Sequence, residues 1–496
     1  MKNKEKWLVW GGFAVLVYGL LIVTGTLFSG IHCVDDHEFI RYVMHMEEKG
    51  IWDCIISEIR IDLDTRFRPM YYFIRICLVA VIGYNFILWG ILTGGVIVIA
   101  LAMAYFSARK LGCSSFYSII FSLIIMVGPQ SVVWWKFGPQ ESIGMAMLTS
   151  GIWCLLCWIQ TDKNYYGVIG GLVFTILSLY KESFICLLPL AVAMVFIEYC
   201  RQNEYSIQAI LSGIKKYWLF TSILTVVGIV EVCMIVFYVG TNETGYVGLN
   251  TDIGLYEYTV IWMDCFKGPL KWFVLFGIIM IAVMLTRLNR WKEWLSGAIV
   301  TMVIMLPQVF VYNMTGLNER YILPWSLGYA WFLIITAVRG NGVLEGAKVR
   351  KNILNICLIG LLICHFTVFW KEAQHHTYRG TNFQKVWKIV EENTSEESNI
   401  LAAFTYAEAN ITVTLWGAVN NRKNVYTWKE EPAIAVRTTM GGLDEGTDPT
   451  PLEEMDVIMW YSPEHRHYGY DPKLDLSDYS VQQIGTLVVA VREENK

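Results

Sequence analysis

Asp35-Asp36-His37-Glu38 follows directly on the first apolar run of this chain. Charge at the edge of a bilayer is costly to keep there and is usually functional. A carboxylate in that position can serve as general base for an incoming hydroxyl or amine. With a neighbouring carboxylate it can also hold a divalent cation, Mg or Mn. A purely structural alternative exists for Asp35 and Asp36, because either can cap a helix predicted over His37–Lys49. Glu38 stands beside them as a candidate substrate contact.

Cations recur at other boundaries of the apolar runs. Arg66-Phe67-Arg68-Pro69 closes the loop that Asp35 opens, and Lys181-Glu182-Ser183 and Asn318-Glu319-Arg320-Tyr321 come later. An ammonium binds phosphate as a point charge, whereas a guanidinium grips it through two donors at once. Lys181, Arg320, Arg66 and Arg68 are therefore candidate phosphate ligands, with Glu182 and Tyr321 as neighbouring substrate contacts. The structural alternatives are a lysine snorkelling to water beside its own counter-ion and an interfacial Arg–Tyr anchor. Trp135, in Trp134-Trp135-Lys136, either stacks a sugar ring or belongs to the aromatic belt. Glu141 is either a first-turn acid or a site residue. Glu231 lies deep in an apolar run, where a buried acid is a functional candidate by default.

The elements that must position these residues are membrane helices. Of 496 residues 55% are hydrophobic and 17% charged, well below the roughly 25% charge of soluble proteins. Many apolar runs reach the roughly 20 residues that cross a hydrocarbon core. Eleven spans are predicted: Trp7–Ser29, Tyr84–Ser107, Ser114–Val133, Ser142–Ile159, Tyr166–Leu179, Phe184–Tyr199, Trp218–Val239, Pro269–Thr286, Trp294–Asn313, Ile322–Val338 and Asn352–Trp370. Pro69–Gly83 is apolar but too short to cross, so a helix in the interface is expected there. Basic residues mark alternate loops: Arg109-Lys110, Arg201, Lys215-Lys216, Arg287, Arg290 and Arg339. By the positive-inside rule these loops and the N-terminus are cytoplasmic. The Asp35 loop (30–83), the Lys181 turn, the Arg320 turn and the C-terminal region then share the outer face.

After Trp370 the chain turns polar, and 371–496 reads as a small outer α/β domain beyond a membrane domain over 1–370. Helices are expected over Asn382–Glu392 and Glu408–Val419. Strands are expected over Ile400–Tyr406, Val425–Trp428, Val457–Tyr461 and Thr486–Arg492. Cys33 and Cys54 share one loop and form either a disulfide or two unlinked thiols. His375, His376, His465 and His467 lack partners at ligand spacing, so no metal motif is read. The formal net charge of −4, without a clustered basic face, does not suggest a nucleic-acid partner.

A retained first helix, an outer loop opening on Asp-Asp, the Arg66-Phe67-Arg68-Pro69-Met70-Tyr71-Tyr72 closing motif and an interfacial helix together resemble the GT-C superfamily of multi-pass glycosyltransferases. That group includes protein O-mannosyltransferases, aminoarabinose transferases of lipid A and serotype-converting O-antigen glucosyltransferases. The resemblance runs from Trp7 to Trp370, and Arg66–Tyr72 is most similar to the last group. It implies an α-helical polytopic membrane enzyme with a polyprenyl-phosphate sugar donor and a cell-envelope glycan, lipid or protein acceptor. It also implies inversion at the anomeric carbon, with Asp35 or Asp36 as the base. Asp36 is slightly favoured, since an acid just before a helix faces its positive end. A rival reading is a transporter or flippase of a lipid-linked sugar, and a third is a non-catalytic surface protein.

Overall fold

The computed structural model describes residues 3–239, 254–268, 270–285, 291–311, 319–340, 348–429, 434–439, 442–443, 450–465 and 468–493. Helices dominate the first three quarters of the chain. They are α1 Asn3–Val23, α2 Glu38–Lys49, α3 Ile51–Leu63, α4 Pro69–Ile82, α5 Phe86–Lys110, α6 Ser115–Met126, α7 Glu141–Thr161 and α8 Asn164–Ser178. Then follow α9 Leu188–Gln202, α10 Ile207–Cys233, α11 Leu255–Lys267, α12 Lys271–Leu285, α13 Trp291–Val311, α14 Leu323–Ala330, α15 Ala337–Gly340 and α16 Lys348–Asn393. The starts are written in the sequence. Asn85 accepts from the N–H groups of Ile87 and Leu88 to cap α5, and Ser114 caps α6. Pro69 opens α4, where its missing N–H costs nothing.

Each of the eleven predicted spans contains helix, but eleven separate crossings do not follow. Among the described residues six helices are long and apolar enough to cross a membrane, or eight if two bent pairs count as one span each. The span predicted over Ser114–Val133 shows why. Gly128-Pro129 breaks it, and the 129–135 segment turns 77° away from α6. Proline cannot continue the hydrogen-bond ladder. Likewise α8 has only 15 residues.

The C-terminal region forms β1 Asn399–Ala402, α17 Ala407–Val419, β2 Asn424–Lys429, β3 Ile434–Thr439, β4 Gly442–Leu443, β5 Val457–Tyr461, β6 Tyr479–Ile484 and β7 Leu487–Arg492. The sheet order is β4-β3-β2-β1-β5-β7-β6. The central strand β1 runs parallel to β2 and β5, and the remaining pairs are antiparallel. The four predicted strands are its centre. The strands β3, β4 and β6 were not expected from the sequence. In β6, Tyr-Ser-Val-Gln-Gln-Ile carries little apolar signal because it is a largely exposed edge.

Side chains alternate along the sheet, and its two faces enter different cores. Leu401, Ile458, Trp460 and Val488 pack on one side. Ile400, Met459 and Val489 face the other, where they join Phe383 and Trp387 of α16 and Phe39 and Ile40 of α2 in one apolar cluster. The loop that carries Asp35 and the sheet therefore share a core. The helix expected over Asn382–Glu392 is the last stretch of α16. That helix has 46 residues, about 69 Å at 1.5 Å each, and runs without a break through Trp370. Cys33 and Cys54 are buried free thiols in the same cluster, so the disulfide alternative falls.

Candidate active site

Four stretches far apart in sequence meet at one cavity of about 280 Å³. Asp35, Glu38, Arg66, Arg68, Glu141 and Lys181 all line it. Backbone contacts hold the stretches in register. The Phe67 N–H donates to Glu182 Oε1 at 3.2 Å, and the Met70 N–H donates to the Leu179 carbonyl at 3.1 Å. Glu182 thus ties the Arg66 loop to the Lys181 turn. The Asp35 loop is clamped from two sides. A Cβ on Gly138 would lie 2.3 Å from the Val34 carbonyl and 2.6 Å from Asp35 Cβ. A Cβ on Gly380 of α16 would lie 2.3 Å from the Ser29 carbonyl.

The two adjacent aspartates have opposite surroundings. Asp36 is fully buried. Its Oδ2 accepts from the His32 N–H at 2.6 Å, and its Oδ1 accepts from the Val34 N–H at 2.8 Å. Burial pushes its carboxyl up to about 6, against the lowering effect of those two hydrogen bonds. It does not line the cavity. Asp35 does, and its backbone sits at φ +57°, a left-handed conformation that costs a non-glycine residue energy. Its charge acts on the Tyr71 hydroxyl across the cavity. Neither aspartate caps α2 by its side chain. His37 holds the cap position without a side-chain bond, because Asp36 reaches backward into its own loop.

The cations are held by carboxylates. Lys181 is buried and paired with Glu141 at the start of α7. Its Nζ also lies 4.7 Å from the centroid of the Tyr321 ring. Arg68 is locked by Asp62, and donates to the Tyr72 hydroxyl at 3.2 Å. Tyr72 in turn donates to Asp62 at 3.0 Å. Arg66 is half-buried on the rim. Glu38 pairs with Arg41 and lies 3.4 Å from His37. Burial works to raise the Glu38 carboxyl, but these neighbours outweigh it and hold it at about 2.

No family model matches the chain, and no curated protein matches it. The structure is similar to two solved structures of ArnT from Cupriavidus metallidurans, each 10% identical, with 97% of this chain and 98% of that chain covered. The TM-score is 0.46 for the apo structure and 0.49 for the structure bound to undecaprenyl phosphate.

Some predicted site residues lie elsewhere. Trp135 is buried and packs edge-on against Phe369 of α16, with centroids 4.8 Å apart. It offers no open face to a sugar and is no exposed belt residue either. Glu231 is buried in α10, where the Ser178 hydroxyl donates to it at 2.7 Å, and it does not line the cavity. Tyr321 sits beneath Lys181. Asn318 and the side chain of Arg320 fall outside the described residues.

Arg41, Tyr42 and Glu408 also line the cavity and were not expected from the sequence. Arg41 stands three residues after Glu38, a helical spacing that was legible. Glu408, in the first turn of α17, comes from the C-terminal domain and had no local signal. Its Oε2 is buried and has no hydrogen-bond partner. Among the described residues no group of three or more His, Cys, Asp or Glu is close enough to hold a metal ion.

Proposed function

We propose that this chain is an integral membrane glycosyltransferase. It takes a sugar from a polyprenyl-phosphate donor and delivers it to a cell-envelope acceptor on the outer face. The observation that carries this reading is the convergence of Asp35 with Lys181, Arg66 and Glu141 in one cavity between the helical bundle and the C-terminal domain. Asp35 takes the base role over Asp36, whose two oxygens are both engaged by backbone N–H groups.

Asp35 removes the proton from the acceptor hydroxyl or amine. The acceptor atom bonds to the anomeric carbon as the bond from that carbon to the phosphate oxygen breaks. The leaving polyprenyl phosphate carries away the electron pair, and one displacement inverts the centre. Fixed donors aimed at the developing charge contribute most in such a step. Lys181 has three N–H donors, and its bond to Glu141 fixes where the others point. Arg66 adds a guanidinium at the rim. We give Arg320, adjacent to Tyr321, the same phosphate-binding role. Arg68, held by Asp62 and Tyr72, orients the loop.

Glu408 is assigned to a hydroxyl of the sugar or acceptor, because a buried oxygen without a partner calls for one. The basic loops support an N-terminus in the cytoplasm and a C-terminal domain outside.

The test uses the full chain in proteoliposomes with radiolabelled hexose on polyprenyl phosphate and cell-envelope extract as acceptor. Label is expected to move from lipid to acceptor. Movement of intact labelled lipid across the bilayer without transfer would establish the transporter reading instead.

A further inference from the structure

We propose that the chain holds one anionic glycerophospholipid in a second cavity at the opposite membrane surface. The helix α7 links the two sites. Its first residue, Glu141, lines the Asp35 cavity, and its last two, Gln160 and Thr161, line the second. Twenty-one residues span about 30 Å, close to the hydrocarbon thickness of a bilayer. In the orientation proposed above, the second cavity faces the cytoplasmic leaflet.

This cavity is larger, about 750 Å³, and Lys6, Arg109 and Lys110 line it without any carboxylate among its described lining residues. Arg109 spends part of its charge on Glu5, at 3.1 Å. Lys110 donates to the neutral Gln160 amide at 3.0 Å. Lys6 extends from the first turns of α1 and is exposed. Among the described residues neither lysine is paired with a carboxylate. The rest of the wall is aromatic, with Trp10, Phe106 and Trp153. Trp10 meets Phe106 edge-on at 6.0 Å.

A cationic rim beside an aromatic wall at the end of a membrane helix matches an amphiphile. A soluble anion has no use for the wall. A zwitterionic lipid brings its own cation to compete with the two lysines. A net-negative headgroup with its chains against the tryptophans satisfies both parts.

The experiment is native mass spectrometry of the full chain in detergent with equal phosphatidylglycerol and phosphatidylcholine. Lys6→Gln and Lys110→Gln are made singly and together, and inorganic phosphate is added as a competitor. The wild type is expected to retain phosphatidylglycerol preferentially. That preference is expected to fall about fivefold for each lysine removed, and phosphate is expected not to displace the lipid. Equal retention of both lipids, or an unchanged preference in the double variant, overturns the proposal. Displacement by phosphate alone overturns it in favour of a soluble-anion pocket. Lys6 is exposed near the chain start, so Lys6→Gln keeps the test open should Lys110→Gln fail to fold. No arm measures sugar transfer, so the result is independent of the enzymatic reading.

Discussion

Glu38 shows how single residues set the pH range of this site. Its carboxyl titrates at about 2 instead of the usual 4.5 because His37 and Arg41 outweigh burial. A lowered folded-state value means that the pairing stabilises the fold fully above about 4.5 and is lost as pH falls through about 2. Glu38→Gln is expected to cost on the order of 2 kcal/mol at neutral pH. Between pH 4.5 and 2 the thermal midpoint of the wild type is expected to fall more steeply than that of the variant. Equal slopes would contradict the pairing. At this scale much was legible in the sequence. Asp35, Arg66, Lys181 and Glu141 were marked by charge at apolar boundaries. The preference proposed for Asp35 over Asp36 was not legible, because it depends on which carboxylate turns back to the N–H groups of residues 32 and 34.

Among the elements, the loop that carries Asp35 depends on Gly138. An alanine Cβ there would collide with backbone atoms of Val34 and Asp35, and backbone cannot swing aside as a flexible side chain does. Gly138→Ala is expected to displace Asp35 and to cut kcat by about 100-fold, the cost of roughly 1 Å of misplacement. The KM for the donor is expected to change little, since Lys181 and Arg66 lie on other elements. A variant with normal kcat would show that the loop tolerates the shift. The apolar runs made nearly every helix visible in advance. They did not show the break at Gly128-Pro129 as the end of a span, and they did not show that α16 continues past Trp370. A long helix that leaves the membrane changes from apolar to polar without changing its conformation.

For the molecule as a whole, the loop that carries Asp35 and the C-terminal sheet are one body, with a common core from Phe39 to Val489. Glu408 reaches the cavity only through that docking. Glu408→Ala is expected to lower kcat/KM about tenfold or more, the scale of a hydrogen bond to a charged group, mainly through KM. An unchanged KM for both substrates would remove Glu408 from the site. Such a contact was not legible in the sequence, because 370 residues separate Glu38 from Glu408 and no local pattern links them. Loop charge led to the expectation that the Asp35 loop, Lys181 and Arg320 meet; the Arg320 side chain lies outside the described residues, and the meeting of Asp35 with Lys181 and Arg66 is the central claim. The most direct measurement compares Asp35→Asn with Asp36→Asn by sugar transfer in proteoliposomes, with thermal midpoints alongside. Asp35→Asn is expected to lose about 10²–10⁴ in rate at an unchanged midpoint. Asp36→Asn is expected to lower the midpoint and retain most of the rate. Full transfer by Asp35→Asn, or loss of transfer in Asp36→Asn at a normal midpoint, would contradict the account.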